Sequence, residues 1–234
     1  MNPIEIPGVI PSEQLRTQLA AEDRPVLLAF SRGKDSIAAW LALRDAGIQV
    51  IPYHLHLIPG LEFVDESLAY YEDTFGCKIL NLPHPSLYRW LAHAMFQPPE
   101  RIRTLEAAQL TVPTYQDVQD LIRAQLDLPP ATWTCDGVRA ADSPVRRTSL
   151  LKHGPVSTAR RTQKAVWDWR KAHVYDAIRA AGVRLPREYD WFGRSFDGLD
   201  RRFLAPIRKH APADYQRILE WFPLAALEFE RAAP

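Results

Sequence analysis

The sequence predicts an α/β fold: an open, mainly parallel sheet with helices on both faces and a helical C-terminal extension. Three observations carry this. Val26-Leu27-Leu28-Ala29-Phe30 is an unbroken apolar run, the pattern of a central strand buried on both faces. Strand and helix patterns alternate through the first eighty residues, as a parallel sheet with crossover helices requires. Gly47 and Gly76 follow the first two crossover helices at the position where a left-handed backbone ends a helix.

Each element follows in order. Residues 1–21 read as a polar lead-in holding a short helix, Ser12–Ala21. The strand Val26–Phe30 runs into Ser31-Arg32-Gly33-Lys34-Asp35-Ser36 and then a helix, Ile37–Ala46. Gln49–Leu57, rich in Val, Ile, Tyr and Leu, is a second strand, Val64–Phe75 a helix and Lys78–Leu82 a third strand. Ser86 is placed to cap a helix running to Phe96, which Gln97-Pro98-Pro99 breaks. Thr114 and Asp117 have capping-box spacing and open a helix to about Leu126, closed by Pro129-Pro130. Ala131–Val138 then returns to the sheet, parallel to Val26–Phe30. Beyond Asp142 the pattern turns basic and loop-like to Val166, followed by a helix, Asp168–Ala181, with Gly182 behind it and a tail rich in proline and aromatics. The expected division is a lead-in (1–21), an α/β core (22–155) and an extension packed on that core (156–234), with no internal repeat.

Composition narrows the function classes. The 234 residues are 47% hydrophobic and 24% charged, an ordinary globular balance for one large domain or a domain with an appendage. Net charge is +1, so a globally electrostatic nucleic-acid binder is not indicated. No apolar run approaches the ~18 residues of a membrane span. The N-terminus reads as neither a secretory signal nor a transit peptide, so a cytoplasmic setting without a membrane partner is expected. Cys77 and Cys135 cannot build a disulfide framework, a four-cysteine zinc site or a four-cysteine iron–sulfur cluster, and no such cluster is expected. Twenty prolines against ten glycines imply stiffened connections.

Ser31–Ser36 is the most informative segment. A short loop leaving a buried strand for a helix N-terminus offers backbone N–H groups and the positive end of a helix dipole. Gly33 lets backbone approach an anion, Lys34 adds a point charge, and Ser31 and Ser36 add hydroxyl donors. Phosphate or sulfate oxygens suit such a loop. It is not a Walker A loop, because Asp follows Lys34 and no glycine precedes Gly33 at the required spacing. The plainer alternative is a strand-to-helix turn with a surface lysine.

Ala29-Phe30-Ser31-Arg32-Gly33-Lys34-Asp35-Ser36 resembles the SGGKDS fingerprint of the PP-loop ATP pyrophosphatase superfamily. Gly60-Leu61-Glu62-Phe63 looks like the D-T-G-x-E-F-P-E-T turn of its phosphoadenosine phosphosulfate (PAPS) reductase branch. The run from Gly137 to Arg147 is similar to that branch's G-I-R-x-x-E-S-x-x-R element, and Asp168-Trp169 through Gly193-Arg194-Ser195 more faintly to its D-W-x-x-x-D-V-W helix and turn. The likeness spans roughly residues 24–198 in the family's order. It implies a Rossmann-like, adenine nucleotide alpha hydrolase-like fold that binds ATP or PAPS. The implied activity is cleavage of ATP between the α- and β-phosphates, which adenylates an acceptor and releases pyrophosphate. By the same resemblance, Ser31, Arg32, Gly33, Lys34, Asp35 and Ser36 hold pyrophosphate, and Mg2+ bridges the phosphates with Asp35 as its candidate ligand. Gly60, Arg139, Ser143, Arg146 and Arg147 fall in the other matched motifs as binding candidates, with Lys34 and Arg139 as catalytic ones.

Three departures limit the transfer. Arg32 stands where the fingerprint has glycine, and its side chain either adds a phosphate contact or points to solvent. Ile58-Pro59 replace Asp-Thr in the second motif. No cysteine follows Cys135, whereas thiol-based reduction needs an attacking thiolate and a resolving thiol. Reduction of PAPS is therefore not expected.

The remaining candidates keep two readings each. Cys135, at the end of a strand, is either a sulfur carrier or a small buried hydrophobe; Cys77 reads as structural. His54 and His56 share a strand face without a third metal ligand and read as polar lining. Residues 139–171 hold nine Lys and Arg against two acidic residues. They suit a nucleic-acid acceptor, or equally a mobile loop closing over ATP phosphates. The aromatics from Trp191 to Phe229 read as packing between extension and core. Three functional classes stay open: an ATP-dependent adenylating enzyme, a PAPS- or adenylylsulfate-binding enzyme with altered sulfur chemistry, and a non-catalytic nucleotide-binding module acting with a partner protein.

Overall fold

The computed structural model describes residues 2–230. Six strands form one sheet: β1 (Val26–Ala29), β2 (Val50–His56), β3 (Leu80–Pro83), β4 (Thr134–Asp136), β5 (Val156–Ser157) and β6 (Thr162–Lys164). Their order is β3-β2-β1-β4-β6-β5. β1 runs parallel to β2 and to β4, with Leu28 opposite Pro52 on one side and Cys135 on the other. β4 and β6 are parallel, and β5 and β6 are antiparallel. The fold is α/β with a mostly parallel sheet, as the sequence predicts. Val26, Leu27 and Leu28 are buried, which is why their run carries no polar alternation. Strand order reverses direction at β1, with β2 on one side and β4 on the other, and that is where open α/β sheets leave a crevice at the strands' C-terminal ends.

The chain divides into two units, and differently from the expected core and extension. The first comprises, of the described residues, 2–54, 76–80 and 118–185. It holds α1 (Ser12–Ala21), α2 (Lys34–Asp45), most of α6 (Tyr115–Gln125), α7 (Pro144–His153) and α8 (Lys171–Ala180). Every residue from Ser36 to Leu43 of α2 is buried, and this enclosed helix packs against α8. The lead-in is core rather than a polar leader. Ile4, Ile6 and Leu15 are buried with Ala140, Leu150 and Trp167, and the Ile4 N–H donates to the Asp168 carbonyl at 2.7 Å. Asp168 does not open a helix. Its carboxylate accepts the Ser12 N–H at 2.9 Å and the Ser12 hydroxyl at 2.5 Å, and α8 starts three residues later.

The basic stretch expected to be a loop is instead α7 plus the β5–β6 hairpin. Ser143 caps α7, accepting the Arg146 N–H at 3.2 Å. The predicted strand Ala131–Val138 shortens to β4, because Thr132 closes a turn onto the Pro129 carbonyl at 2.9 Å.

The second unit comprises residues 55–75, 81–117 and 186–234, of which those to 230 are described. It holds α3 (Glu62–Phe75), α4 (Pro85–Ala92), α5 (Pro99–Ala108), α9 (Glu188–Phe192), α10 (Arg201–His210), α11 (Pro212–Trp221) and a 3-10 helix over Pro223–Phe229. The cap of α4 is His84, not Ser86: its Nδ1 accepts the Ser86 N–H at 2.9 Å. Ala94 and Phe96 adopt left-handed backbones, so α4 ends at Ala92 rather than Phe96. Pro99, expected only to break a helix, also begins one, since proline at the first helical position forfeits no hydrogen bond. The tail aromatics pack within this unit, Phe192 and Phe196 against Phe203 at 5.0 and 5.8 Å and Phe222 against Trp90 at 5.7 Å. None of the described helices is long and apolar enough to cross a membrane.

Candidate functional site

The site grows from the turn between β1 and α2. Phe30 leaves the strand buried, its N–H on the Tyr53 carbonyl at 2.8 Å, its carbonyl 3.0 Å from His54 Nδ1 and its ring edge-on to Trp40. Ser31 is exposed. Arg32 then adopts φ +62° with its side chain almost wholly buried, so it points neither to solvent nor along an ordinary extended path. The left-handed backbone explains why glycine suits this position in the resembling fingerprint. Gly33 is the N-cap of α2 and supplies no side-chain cap, so no cap closes off the first-turn N–H groups. Lys34, Asp35 and Ser36 lie in that first turn, not in a loop before the helix. Ser36 is buried and its hydroxyl donates to the Gly33 carbonyl at 2.9 Å, bracing the turn; its oxygen lies 3.2 Å from that of Ser31.

A second segment, from the end of β4, closes on this turn. A Cβ on Gly137 would sit 2.5 Å from the carbonyl carbon and oxygen of Asp35 and 2.8 Å from the Ser36 nitrogen. The glycine is there for room. Two residues on, Arg139 is 3% exposed and gives each guanidinium nitrogen a protein acceptor. Nε donates to Asp35 Oδ1 at 2.7 Å, Nη1 to the Trp169 carbonyl at 3.1 Å and Nη2 to Asp142 Oδ1 at 2.5 Å. Asp142 Oδ2 takes Arg146 Nη1 at 2.5 Å, and Asp35 Oδ2 takes Lys34 Nζ at 2.6 Å. Lys34, Asp35, Arg139, Asp142 and Arg146 thus form one chain of alternating charges, from the first turn of α2 to the first turn of α7.

This geometry revises several expected roles. Arg139 is brought to the α2 turn, and each of its three guanidinium nitrogens gives one N–H to a protein acceptor, Asp142 among them. Ser143 is occupied as the α7 cap. Arg147 is exposed. Cys135 is fully buried, and burial pushes its thiol well above the usual cysteine range. That is the environment of a small core hydrophobe, not of a nucleophilic thiolate. Gly60 lies in the second unit at φ +70°, in a turn only glycine enters freely. The α3 N-terminus that follows is already filled, with the Glu62 and Phe63 N–H groups donating to the buried Asp214 carboxylate at 2.6 and 3.2 Å.

One acidic residue beside the turn was not among the sequence candidates. Asp136 ends β4, immediately before Gly137, and its Oδ1 accepts the Val138 N–H at 2.9 Å. Burial raises its carboxyl above the ordinary carboxylate range, opposed by Lys164, the Val138 N–H and Arg146. An acidic residue ending a buried strand was the available signal.

The donor set does not fit a resident magnesium ion. Asp35 is the one carboxylate in the first turn of α2, and each of its oxygens already faces a cation, Lys34 or Arg139. Among the described residues, no group of three or more His, Cys, Asp or Glu is placed to hold a metal.

No protein-family model and no curated protein matches this chain. Among solved structures it is similar to the NH3-dependent NAD synthetase of Campylobacter jejuni subsp. jejuni NCTC 11168 in complex with nitrate. Identity is 12%, coverage 95% of this chain and 97% of that one, and the TM-score 0.45. It is also similar to a predicted subunit of tRNA methyltransferase from Methanocaldococcus jannaschii, at 17% identity, 84% and 86% coverage and a TM-score of 0.35. At these values neither likeness assigns the chain to a family.

Proposed function

We propose that Ser31–Ser36 binds the phosphates of an adenine nucleotide, and that the chain is an ATP pyrophosphatase-type enzyme that adenylates an acceptor. The observation that carries this reading is the N-terminus of α2. It has no side-chain cap, it carries Lys34 as its first residue, and it sits where the strand order reverses between β1 and β4. The SGGKDS-like run supports the same reading. In the reaction, an acceptor oxygen attacks the α-phosphorus, the bond to the α–β bridging oxygen breaks, and pyrophosphate leaves with that electron pair. The protein positions and neutralises: α2 N–H groups and Lys34 face the departing phosphates, while Arg139 holds Asp35 in place behind them. Magnesium enters as part of the nucleotide complex rather than as a group held by the chain. A cytoplasmic setting suits an enzyme that consumes ATP.

Thiol-based reduction of PAPS gains no support, because one of the two cysteines is Cys135, buried with its thiol raised. The test is titration of ATP and of a 3′-phosphorylated adenosine nucleotide against the parent and Lys34→Ala. The expected result is preference for ATP and a loss of about 10-fold, or about 1.4 kcal/mol, in the variant, since a charge–phosphate contact is removed. Identical curves for parent and variant would take the loop out of the site. Preference for the 3′-phosphorylated ligand would move the chain to the PAPS-binding reading.

A further inference from the structure

We propose that α7 and the β5–β6 hairpin form a docking surface for the phosphodiester backbone of a nucleic acid. The inference deepens the adenylation reading by naming the class of acceptor. It rests on that reading only for what the docking achieves, not for the docking itself.

The observation is a run of cations with no acidic residue inside it. Residues 143–167 contain six Lys and Arg, at 146, 147, 152, 160, 161 and 164, together with His153 and no Asp or Glu, in a chain whose net charge is only +1. Elsewhere arginines tend to neutralise themselves locally, as Arg44 does on Asp45, Arg179 on Asp176, Arg202 on Asp200 and Arg217 on Glu220. Arg147, Lys152, Arg160 and Arg161 are exposed and have no carboxylate within ion-pair distance among the described residues. Their like charges repel one another in the free protein, and a polyanion relieves that repulsion while releasing its own counter-ions.

The scaffold beneath these cations is a thinly buried helix. Of the ten residues of α7 only Leu150 is buried, with Val145 78% and Leu151 57% exposed. The hairpin next to it in the chain is the end of the sheet, and β5 is an edge strand. Arg161 is held over the Trp133 ring at 5.6 Å, and Arg160 Nε reaches the Ser157 hydroxyl at 3.5 Å. These cations thus stand on a helix and a hairpin. Thr148, Ser149 and Thr158 add hydroxyl donors, whereas no Phe, Tyr or Trp occurs between residues 143 and 166. A surface of cations and hydroxyls whose neighbouring ring, Trp133, lies beneath Arg161 suits phosphates rather than unstacked bases. Arg146, the first cation of the run, pairs with Asp142 and through it with Arg139 and Asp35, so the surface is continuous with the first turn of α2.

Fluorescence anisotropy of the full chain with a labelled 20-base-pair DNA duplex, and separately with an unmodified tRNA, tests this. Four phosphate contacts predict that affinity falls about 100-fold between 50 and 200 mM salt. The double variant Lys152→Glu/Arg160→Glu should bind at least 10-fold more weakly, with a salt slope smaller by about 2, and with unchanged melting temperature and ATP affinity. Binding of the duplex, the tRNA or both supports the surface, and the stronger of the two identifies its natural class. Salt-independent binding, an unaffected double variant, or equal affinity for poly-glutamate overturns it, the last in favour of an acidic protein partner. Nucleic-acid binding by a parent that binds no ATP keeps this surface and removes the adenylation reading instead.

Discussion

Arg139 Nε and Asp35 Oδ1 meet at 2.7 Å across 104 residues of chain. The pair joins the turn after β4 to the first turn of α2, the segments that follow the C-terminal ends of β4 and β1. Each turn has its own brace, the Ser36 hydroxyl on the Gly33 carbonyl in the first and Asp136 and Asp142 in the second. Arg139 ties the two together from behind the anion-facing turn.

Removing that guanidinium should cost stability as well as binding. In Arg139→Ala, Asp35 and Asp142 lose their buried partner, and breaking a buried pair from one side costs about 3–5 kcal/mol. Arg139→Lys keeps the charge, but a single nitrogen cannot reach Asp35, Asp142 and the Trp169 carbonyl together, so it should recover only part of the loss. Thermal melts and ATP titrations of both variants check this. Melting temperatures equal to the parent's would show that the clamp contributes nothing.

Gly137→Ala is expected to act through space alone. Its Cβ would meet the Asp35 carbonyl and the Ser36 nitrogen at 2.5–2.8 Å, and both neighbours are backbone that cannot swing aside. Overpacking of this kind costs about 1–3 kcal/mol. The displaced groups belong to the α2 first turn, so ATP affinity should fall by about 10-fold or more, about 1.4 kcal/mol. Calorimetric titration beside urea denaturation separates the two effects. Parent-like affinity would mean that the turn tolerates the shift.

What could be read from the sequence followed what pattern reasoning detects. The Val26–Phe30 run, the glycines after α2 and α3, and the cap-ready Thr114–Asp117 pair are local signals, and the parallel sheet follows from them. Arg139 stood out in the sequence through its matched motif, but its partners did not, because Asp35 and Trp169 are distant in sequence. α7 was missed because its single buried residue, Leu150, leaves no apolar stripe to detect. The lead-in was misread because Ile4 and Ile6 are too few to form a pattern, although both join the core. Units interleaved along the chain leave no composition shift at their boundaries, so the two-unit division had no signal.

His84 should give the protein an acid-sensitive limb. Burial, with Arg89 and His56 nearby, lowers its pKa from 6.5 to about 4. Its Nδ1 must stay unprotonated to accept the Ser86 N–H, which places the neutral form's proton on Nε2, 3.2 Å from the Tyr115 hydroxyl. The unfolded chain binds this proton near pH 6.5 and the folded chain only near pH 4, so stability is fully present above 6.5 and is lost as pH falls toward 4. His84→Asn keeps a cap and removes the titration. Urea midpoints between pH 4 and 7 should fall less steeply for the variant. Parallel curves would exclude His84 as the source.

Asp136 should show the opposite sign. Burial raises its folded-state pKa, so the folded chain keeps a proton that the unfolded chain has already released. Stability then declines as pH rises from the ordinary carboxylate pKa of 3.8 to the raised value, by about 1.4 kcal/mol per pH unit inside that window, and is constant above it. Asp136→Asn keeps an oxygen for the Val138 N–H and cannot ionise, so parent and variant should be equally stable below the window. The variant should be the more stable of the two at neutral pH. Denaturation series from pH 3 to 8 read the effect. A variant less stable than the parent at neutral pH would mean that the ionised carboxylate is stabilised where it stands.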